Sequence, residues 1–172
     1  MKTKAAGILA ILLAASPLVA GPSVAEIDKF NTVSDRVATG GQPTVPQIAS
    51  LAREGFRTIL SLREPSEYDA AAEEAAAKEQ KLTYVNIPVK TTDPRPEQVD
   101  AFLRTMANSR TYPVFIHCAS GNRVAAFWMI RRVLVEKWDV EDAEREAKLV
   151  GLKSPAMREF ALDYIRAHAA AR

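Results

Sequence analysis

The sequence predicts an α/β domain: a central, mostly parallel sheet of four to five strands, flanked by helices and closed by a helical C-terminal third. Three observations carry this. Short apolar or β-branched runs at residues 58–62, 83–87 and 113–117 alternate with helical patterns, the arrangement that builds parallel sheets. The first of these runs is continuously apolar rather than alternating, as strands buried on both faces are. Beyond residue 122 only helical patterns follow.

The first 25 residues stand apart from that domain. Lys2 and Lys4 precede an apolar run at 5–15, and the chain then turns small and polar around Ser16-Pro17 and Gly21-Pro22-Ser23. Ser23 and Ala25 supply the small residues a signal peptidase reads, so residues 1–25 form a signal peptide and 26–172 a single domain. A membrane anchor is the competing reading. Gly7, Ser16 and Pro17 interrupt the stretch, which is shorter than the roughly 18–20 apolar residues a span needs. The expected location is periplasmic or secreted, in a bacterium, without membrane insertion after cleavage. With Lys2 and Lys4 removed, basic and acidic residues are equal in number, which gives no electrostatic footprint for nucleic acid.

Each element then follows in order. Residues 33–39 form a weak first strand leading into Gly40-Gly41-Gln42-Pro43. Thr44-Val45-Pro46-Gln47 has the form of a capping box, with Ile48, Leu51 and Ala52 on one helical face. Gly55 ends that helix. After the strand at 58–62, Ser66 is the expected cap of an alanine-rich helix over 68–80. The strand at 83–87 ends at Pro88, and a Pro- and Asp-rich loop, 91–96, leads to a helix over 97–108 with Val99, Phe102, Leu103 and Met106 inward. The strand at 113–117 runs into Cys118 and then a long apolar helix over 124–135. Asp139 caps a helix ending at Gly151, and Ser154-Pro155 opens the last one. Trp128 and its neighbours are expected in the core, and His168 in a frayed tail.

Cys118 is the only cysteine, so it staples nothing within the chain. An unpaired thiol in an oxidising compartment is either buried and inert or kept for its chemistry. The pattern strand, Cys118, Ala119, Ser120, Gly121, Asn122, Arg123, helix favours the second. A loop between a strand and a helix N-terminus aims several N–H groups at one spot, and the helix dipole adds positive potential. The same field favours a thiolate. Gly121 permits the turn, and Arg123 offers two parallel donors to oxyanion oxygens. This is an anion-binding nucleophile site, suited to phosphoryl transfer to sulfur. No Cys/His/Asp cluster has metal-ligand spacing and no Gly-rich dinucleotide motif is present, so no cofactor is expected.

His117-Cys118-Ala119-Ser120-Gly121-Asn122-Arg123 resembles the signature loop of the protein tyrosine and dual-specificity phosphatases. It looks most like the bacterial dual-specificity-phosphatase-like family related to the phosphatase-like domain of β-lactamase hydrolase-like proteins. Gly41-Gln42-Pro43, Leu62-Arg63 with Glu67, and Ile87-Pro88-Val89 fit that family's layout, and the likeness spans residues 33–151. The resemblance implies a tyrosine-phosphatase-like fold and hydrolysis of a phosphate monoester. Cys118 would be the nucleophile, residues 118–123 the phosphate cradle, His117 its support and Asp93 the general acid. Asp93 also reads as a plain loop residue favoured by Pro94. Arg63 either reaches the site or pairs with Glu67.

Two departures keep alternatives open. Four residues rather than the common five separate Cys118 from Arg123, the length used by rhodanese-like sulfurtransferases that carry a persulfide. Val124 stands where the family usually has a hydroxyl that assists departure of the thiolate, which suits a phosphate-binding pseudophosphatase. The partner is a phosphorylated molecule in the phosphatase reading and a phosphorylated or sulfated one in the pseudophosphatase reading. On export, the purified native protein is expected to begin near Glu26. N-terminal mass spectrometry of the envelope fraction checks this, and an intact Met1 would replace the cleaved leader with an anchor.

Overall fold

A computed structural model describes residues 21–169; residues 1–20, most of the segment expected to be a signal peptide, lie outside the described residues. The strands are β1 (Asn31–Ser34), β2 (Val37–Gly40), β3 (Thr58–Ser61), β4 (Thr83–Asn86) and β5 (Val114–His117). The helices are α1 (Val45–Arg53), α2 (Ala70–Glu79), α3 (Pro96–Ala107), α4 (Asn122–Leu134), α5 (Val140–Val150) and α6 (Pro155–Ala169). The strands form one five-stranded sheet in the order β1-β2-β5-β3-β4. All neighbours are parallel except β1 and β2.

The expected single strand over 33–39 is in fact a hairpin. Asp35 and Arg36 turn the chain, and β1 folds back so that Asn31 faces Thr39 and Ser34 faces Val37. The short polar β1 takes the sheet edge, while every residue of β2 is buried. The boundary expected after Ala25 falls in a 3-10 turn, Val24–Glu26, and the Ser50 hydroxyl donates to the Pro22 carbonyl just before it.

Alternate strand residues point to opposite faces, and this divides the core in two. Ile59 and Phe115 meet Ile48 and Leu51 of α1 and Ala76 and Ala77 of α2. Leu60 and Ile116 meet Phe102 of α3, Phe127 and Trp128 of α4, and residues of α5 and α6 such as Ala143 and Ala161. Each fully buried Phe or Leu contributes about 1.5–3 kcal/mol. Between the two layers every residue of β3 and β5 is buried, which is why Ile59-Leu60 and Val114-Phe115-Ile116 are consecutive apolar residues rather than alternating ones.

Caps place the helices. Thr44 and Gln47 form the expected capping box of α1. Ser66 does not cap α2. Pro65–Glu67 forms a 3-10 turn, Tyr68 is extended, and Asp69 caps the helix by accepting from the Ala72 N–H at 2.9 Å. The turn matters below, because it fixes Glu67. On the other face Trp128 is buried and its Nε1–H donates to Glu146, whose two oxygens also accept from Arg132 at 2.6 and 2.7 Å. Arg132 also donates to the Val33 carbonyl, so one guanidinium joins α4, α5 and β1. His168 is ordered within α6, stacked on Tyr164 at 3.9 Å, rather than lying in a frayed tail. No helix of the described residues is long and apolar enough to cross a membrane.

Two glycines separate backbone strain from crowding. Gly55 and Gly121 have φ of +87° and +89°, but a Cβ at Gly55 meets nothing within 4 Å, whereas one at Gly121 would lie 2.9 Å from the Val150 carbonyl oxygen. Gly55→Ala should therefore cost about 1–2 kcal/mol from conformation alone. Gly121→Ala should cost clearly more and shift the α5–α6 connection. Urea unfolding of both variants measures the difference, and equal losses would mean the Gly121–Val150 approach relaxes freely.

Candidate active site

The site forms where β5 ends, between β2 and β3. The Cys118 N–H donates to the Gly40 carbonyl at 3.3 Å and the Leu62 N–H to the His117 carbonyl at 2.9 Å, so the two flanking strands hold the start of the loop. Gly121 then turns the chain into α4 and donates its N–H to Cys118 Sγ at 3.2 Å. Among the described residues, the amides of Ala119, Ser120, Asn122 and Arg123 find no protein acceptor. Four unspent donors and one aimed at sulfur make a cradle for an anion. Cys118 is 1% exposed, while Ala119 and Ser120 are open to solvent.

Two side chains of the loop are committed elsewhere. Asn122 Oδ1 accepts from the Lys153 and Ser154 amides at 2.7 and 2.8 Å, so Asn122 serves the cradle through its backbone alone. Val124 is buried in the same apolar cluster as Cys118; it offers packing and no hydrogen bond.

Arg123 is 4% exposed and engaged on one edge. Its Nη1 donates to Glu67 Oε1 and to the Val89 carbonyl at 2.8 Å, and its Nη2 donates to Glu67 Oε2 at 2.8 Å. A guanidinium has five N–H donors, so Nε–H and one hydrogen of Nη2 are left for Cys118, which Arg123 also engages, and for a ligand. Burial by itself lowers the Arg123 pKa; the Glu67 hydrogen bonds and the adjacent Cys118 outweigh it, and the net shift is upward. The same pair lowers Glu67 to about 2, with Arg123 the main cause, burial opposing, and the Glu64 N–H and Arg63 adding to it.

The pair is one link in a longer chain. Arg63 donates to Glu67 Oε2 at 3.3 Å, to the Glu67 carbonyl at 2.7 Å and to Gln42 Oε1 at 2.8 Å, and it stacks over Tyr68. Gln42 Nε2 donates to Glu73 Oε2 at 2.7 Å. Glu73 Oε1 lies 2.7 Å from His117 Nε2, close enough for an ion pair though not aligned as a hydrogen bond. The contacts run His117, Glu73, Gln42, Arg63, Glu67, Arg123, and the loop backbone closes the ring. Arg63 thus pairs with Glu67 and reaches the site's framework at once.

Glu73 was not legible as part of the site, because an alanine-rich helix full of glutamates reads as a solvated face. A signal existed: Glu73 shares its helical face with Ala76 and Ala77, and all three are buried. Asp93 is placed apart from the loop. Its side chain is 55% exposed and pairs with Arg95 at 2.8 Å. It lines an apolar cleft of about 420 Å³ against Phe160, Tyr164 and His168 of α6, and no contact joins it to Cys118 or Arg123. Among the described residues no group of three or more His, Cys, Asp or Glu could hold a metal.

The family described as "DSP-PTPase phosphatase fused to NAD+ Kinase" matches residues 19–161. The chain belongs to that family. A β-lactamase hydrolase-like protein of Xylella fastidiosa is 31% identical over 120 residues, covering 67% of this chain and 28% of that protein. The chain therefore spans less than a third of the length of that curated relative. In fold this phosphatase-family chain is similar to TpbA of P. aeruginosa, with TM-score 0.64, 23% identity, and 81% of this chain and 84% of that one covered. A further TpbA structure is a complex with pTyr. The core catalytic domain of the PP-IP phosphatase SIW14 from S. cerevisiae gives TM-score 0.69 at 18% identity, covering 84% and 93%. The tyrosine-phosphatase-like fold expected from the signature loop is the fold present.

The Glu67–Arg123 pair makes stability depend on acid. Glu67 has a folded pKa of about 2 against an ordinary 4.5, so its contribution is complete above pH 4.5 and is lost as pH falls toward 2. The lost amount is about 3 kcal/mol at most. Glu67→Gln should be less stable than the parent at pH 7 and converge with it near pH 2. Urea unfolding across that range tests this; parallel curves would mean the pair stabilises nothing.

Proposed function

We propose that this chain is a cysteine-dependent phosphatase that hydrolyses a phosphate monoester through a thiophosphate intermediate. The observation that carries the reading is convergence on one sulfur. Gly121 N–H donates to Cys118 Sγ, Arg123 engages the same sulfur, and the neighbouring amides of the loop have no protein acceptor. A thiol meant only for packing would not be ringed by donors lacking acceptors.

The Cys118 thiolate attacks phosphorus, forming an S–P bond as the P–O bond to the leaving group breaks. Three non-bridging oxygens take the loop amides and the remaining Arg123 donors, whose alignment is fixed before substrate arrives. Asp93 protonates the leaving oxygen. This role requires the loop around Asp93 to swing from its Arg95 partner toward Cys118. Water then attacks phosphorus, the S–P bond breaks, and inorganic phosphate leaves with the thiolate restored. His117 and Glu73 steady the entry to the loop. The substrate is a phosphotyrosine-like group or a small phosphorylated molecule; the pTyr complex of TpbA and the PP-IP chemistry of SIW14 support each in turn. The leader expected at 1–25 supports a reaction outside the cytoplasm.

Cys118→Ser should abolish turnover and retain anion binding, Arg123→Ala should damage both, and Asp93→Asn should slow alkyl phosphates far more than aryl phosphates. Steady-state assays, run beside a thiosulfate and cyanide assay, decide among the readings; thiocyanate production without phosphate release would establish a sulfurtransferase.

Val124 makes a second expectation. Buried and without a donor, it cannot assist the departing thiolate, and one hydrogen bond to a charged group is worth about 1.5–3 kcal/mol, or roughly one to two orders of magnitude in rate. Rapid mixing with an aryl phosphate should show a burst near one equivalent. Val124→Ser should raise the slow phase and leave the burst rate alone. No burst in the parent and no gain in the variant would place the slow step elsewhere.

A further inference from the structure

A second group of unspent donors lies at the opposite end of the sheet. Thr58 opens β3 beside Val114, the first residue of β5, whereas Ser61 ends β3 beside His117. Three strand residues, about 10 Å, therefore separate this end from the Cys118 loop. Here a cleft of about 460 Å³ is lined by Thr58, Thr83, Val85, Arg104, Asn108 and Arg110, with Thr105 and Thr111 at its back.

Of the groups lining the cleft, Arg104, Arg110, the Thr58 hydroxyl and the Asn108 amide can donate, whereas the Thr105 and Thr111 hydroxyls have spent their protons. Thr58 is 1% exposed and its hydroxyl has no partner, a state that costs about 1–3 kcal/mol when the group is cut off from water. Asn108 Oδ1 accepts from the Arg110 N–H at 3.0 Å, and its NH₂ has two donors to offer. The Thr105 and Thr111 hydroxyls donate to backbone carbonyls. No carboxylate lines the cleft. Among the described residues neither Arg104 nor Arg110 forms a salt bridge, although Arg63, Arg123, Arg132 and Arg158 all do. Asp100, one turn before Arg104, accepts from the Tyr164 hydroxyl instead.

We propose that this cleft is a second oxyanion site that binds the phosphate group of a small organic molecule. Two guanidinium groups without carboxylate partners suit a dianion. The buried Thr58 hydroxyl gains the acceptor it lacks. The cleft is roomier than a free phosphate needs, and Val85 gives an apolar wall for the organic body. The site stands independently of whether Cys118 turns substrate over.

The test is a ¹H–¹⁵N NMR titration of the full chain with phenylphosphonate, whose C–P bond a phosphatase does not cleave, with inorganic phosphate and ionic-strength-matched sodium chloride alongside. Saturable shifts at Thr58, Thr83 and Thr111 are expected with phenylphosphonate, weaker ones with phosphate, and none with chloride. Arg104→Gln with Arg110→Gln should weaken them at least tenfold while shifts at residues 119–123 persist; both arginines are exposed, so the fold is not at risk. Thr58→Val, which keeps shape and removes the hydroxyl, should weaken them several-fold. Linear shifts, or shifts indifferent to the double variant, would overturn the site. Equal affinity for phosphate and phosphonate would overturn the organic body, and an unchanged Thr58→Val would remove that hydroxyl from it.

Discussion

The buried guanidinium of Arg123 is the constraint on which the rest of the structure depends. A cation at 4% exposure is tolerable only if it is paired with a carboxylate and held by hydrogen bonds, and its partners come from distant parts of the chain. Glu67 arrives on the turn after β3, and the Val89 carbonyl on the segment after β4. Arg63 and Gln42 then tie Glu67 to the segment after β2. Every segment leaving the carboxyl end of a parallel strand is thereby drawn toward one cation. This is the crevice where open α/β sheets place ligands, here drawn together by charge as well as by topology.

Much of this was legible in the sequence, for identifiable reasons. The central strands show because β3 and β5 are buried on both faces, and Thr44, Gly55 and Ser154 show because caps have local chemistry. The reactive loop shows because Cys118, Gly121 and Arg123 are neighbours in the chain. What failed was long-range or competitive. The β1–β2 hairpin was hidden because Asp35-Arg36 is an unremarkable turn dipeptide within a β-branched run. Ser66 lost the cap of α2 to Asp69 because Pro65 begins a 3-10 turn of its own. Glu73 and Gln42 meet across 31 residues, and nothing in either neighbourhood announces the other.

The ring also explains the division of labour in the loop. Side chains of the loop are mostly turned to structure: Asn122 grips the α5–α6 connection, Val124 packs beside the sulfur, and Gly121 abuts Val150 and Gly151. Under the proposed function, recognition falls to backbone amides and to one edge of Arg123. Backbone donors have no rotamers to freeze, so little conformational entropy remains to be lost when an anion binds.

Under the proposed function a carboxylate beside the phosphate looks self-defeating, since Glu67 offsets the charge that would draw the ligand in. The count resolves this. Glu67 offsets one of the two guanidinium charges of Arg63 and Arg123, so under the proposed function an anion is held by aligned donors more than by net attraction. Glu67 grips one edge of Arg123 and leaves the other edge with two N–H groups fixed side by side. Weak net attraction limits how tightly the ground state is held, whereas fixed donors meet transition-state oxygens without reorganisation. Binding energy withheld from the ground state and available in the transition state is what accelerates the chemical step. Glu67 therefore costs affinity and preserves geometry, and a site built on backbone amides needs the geometry more.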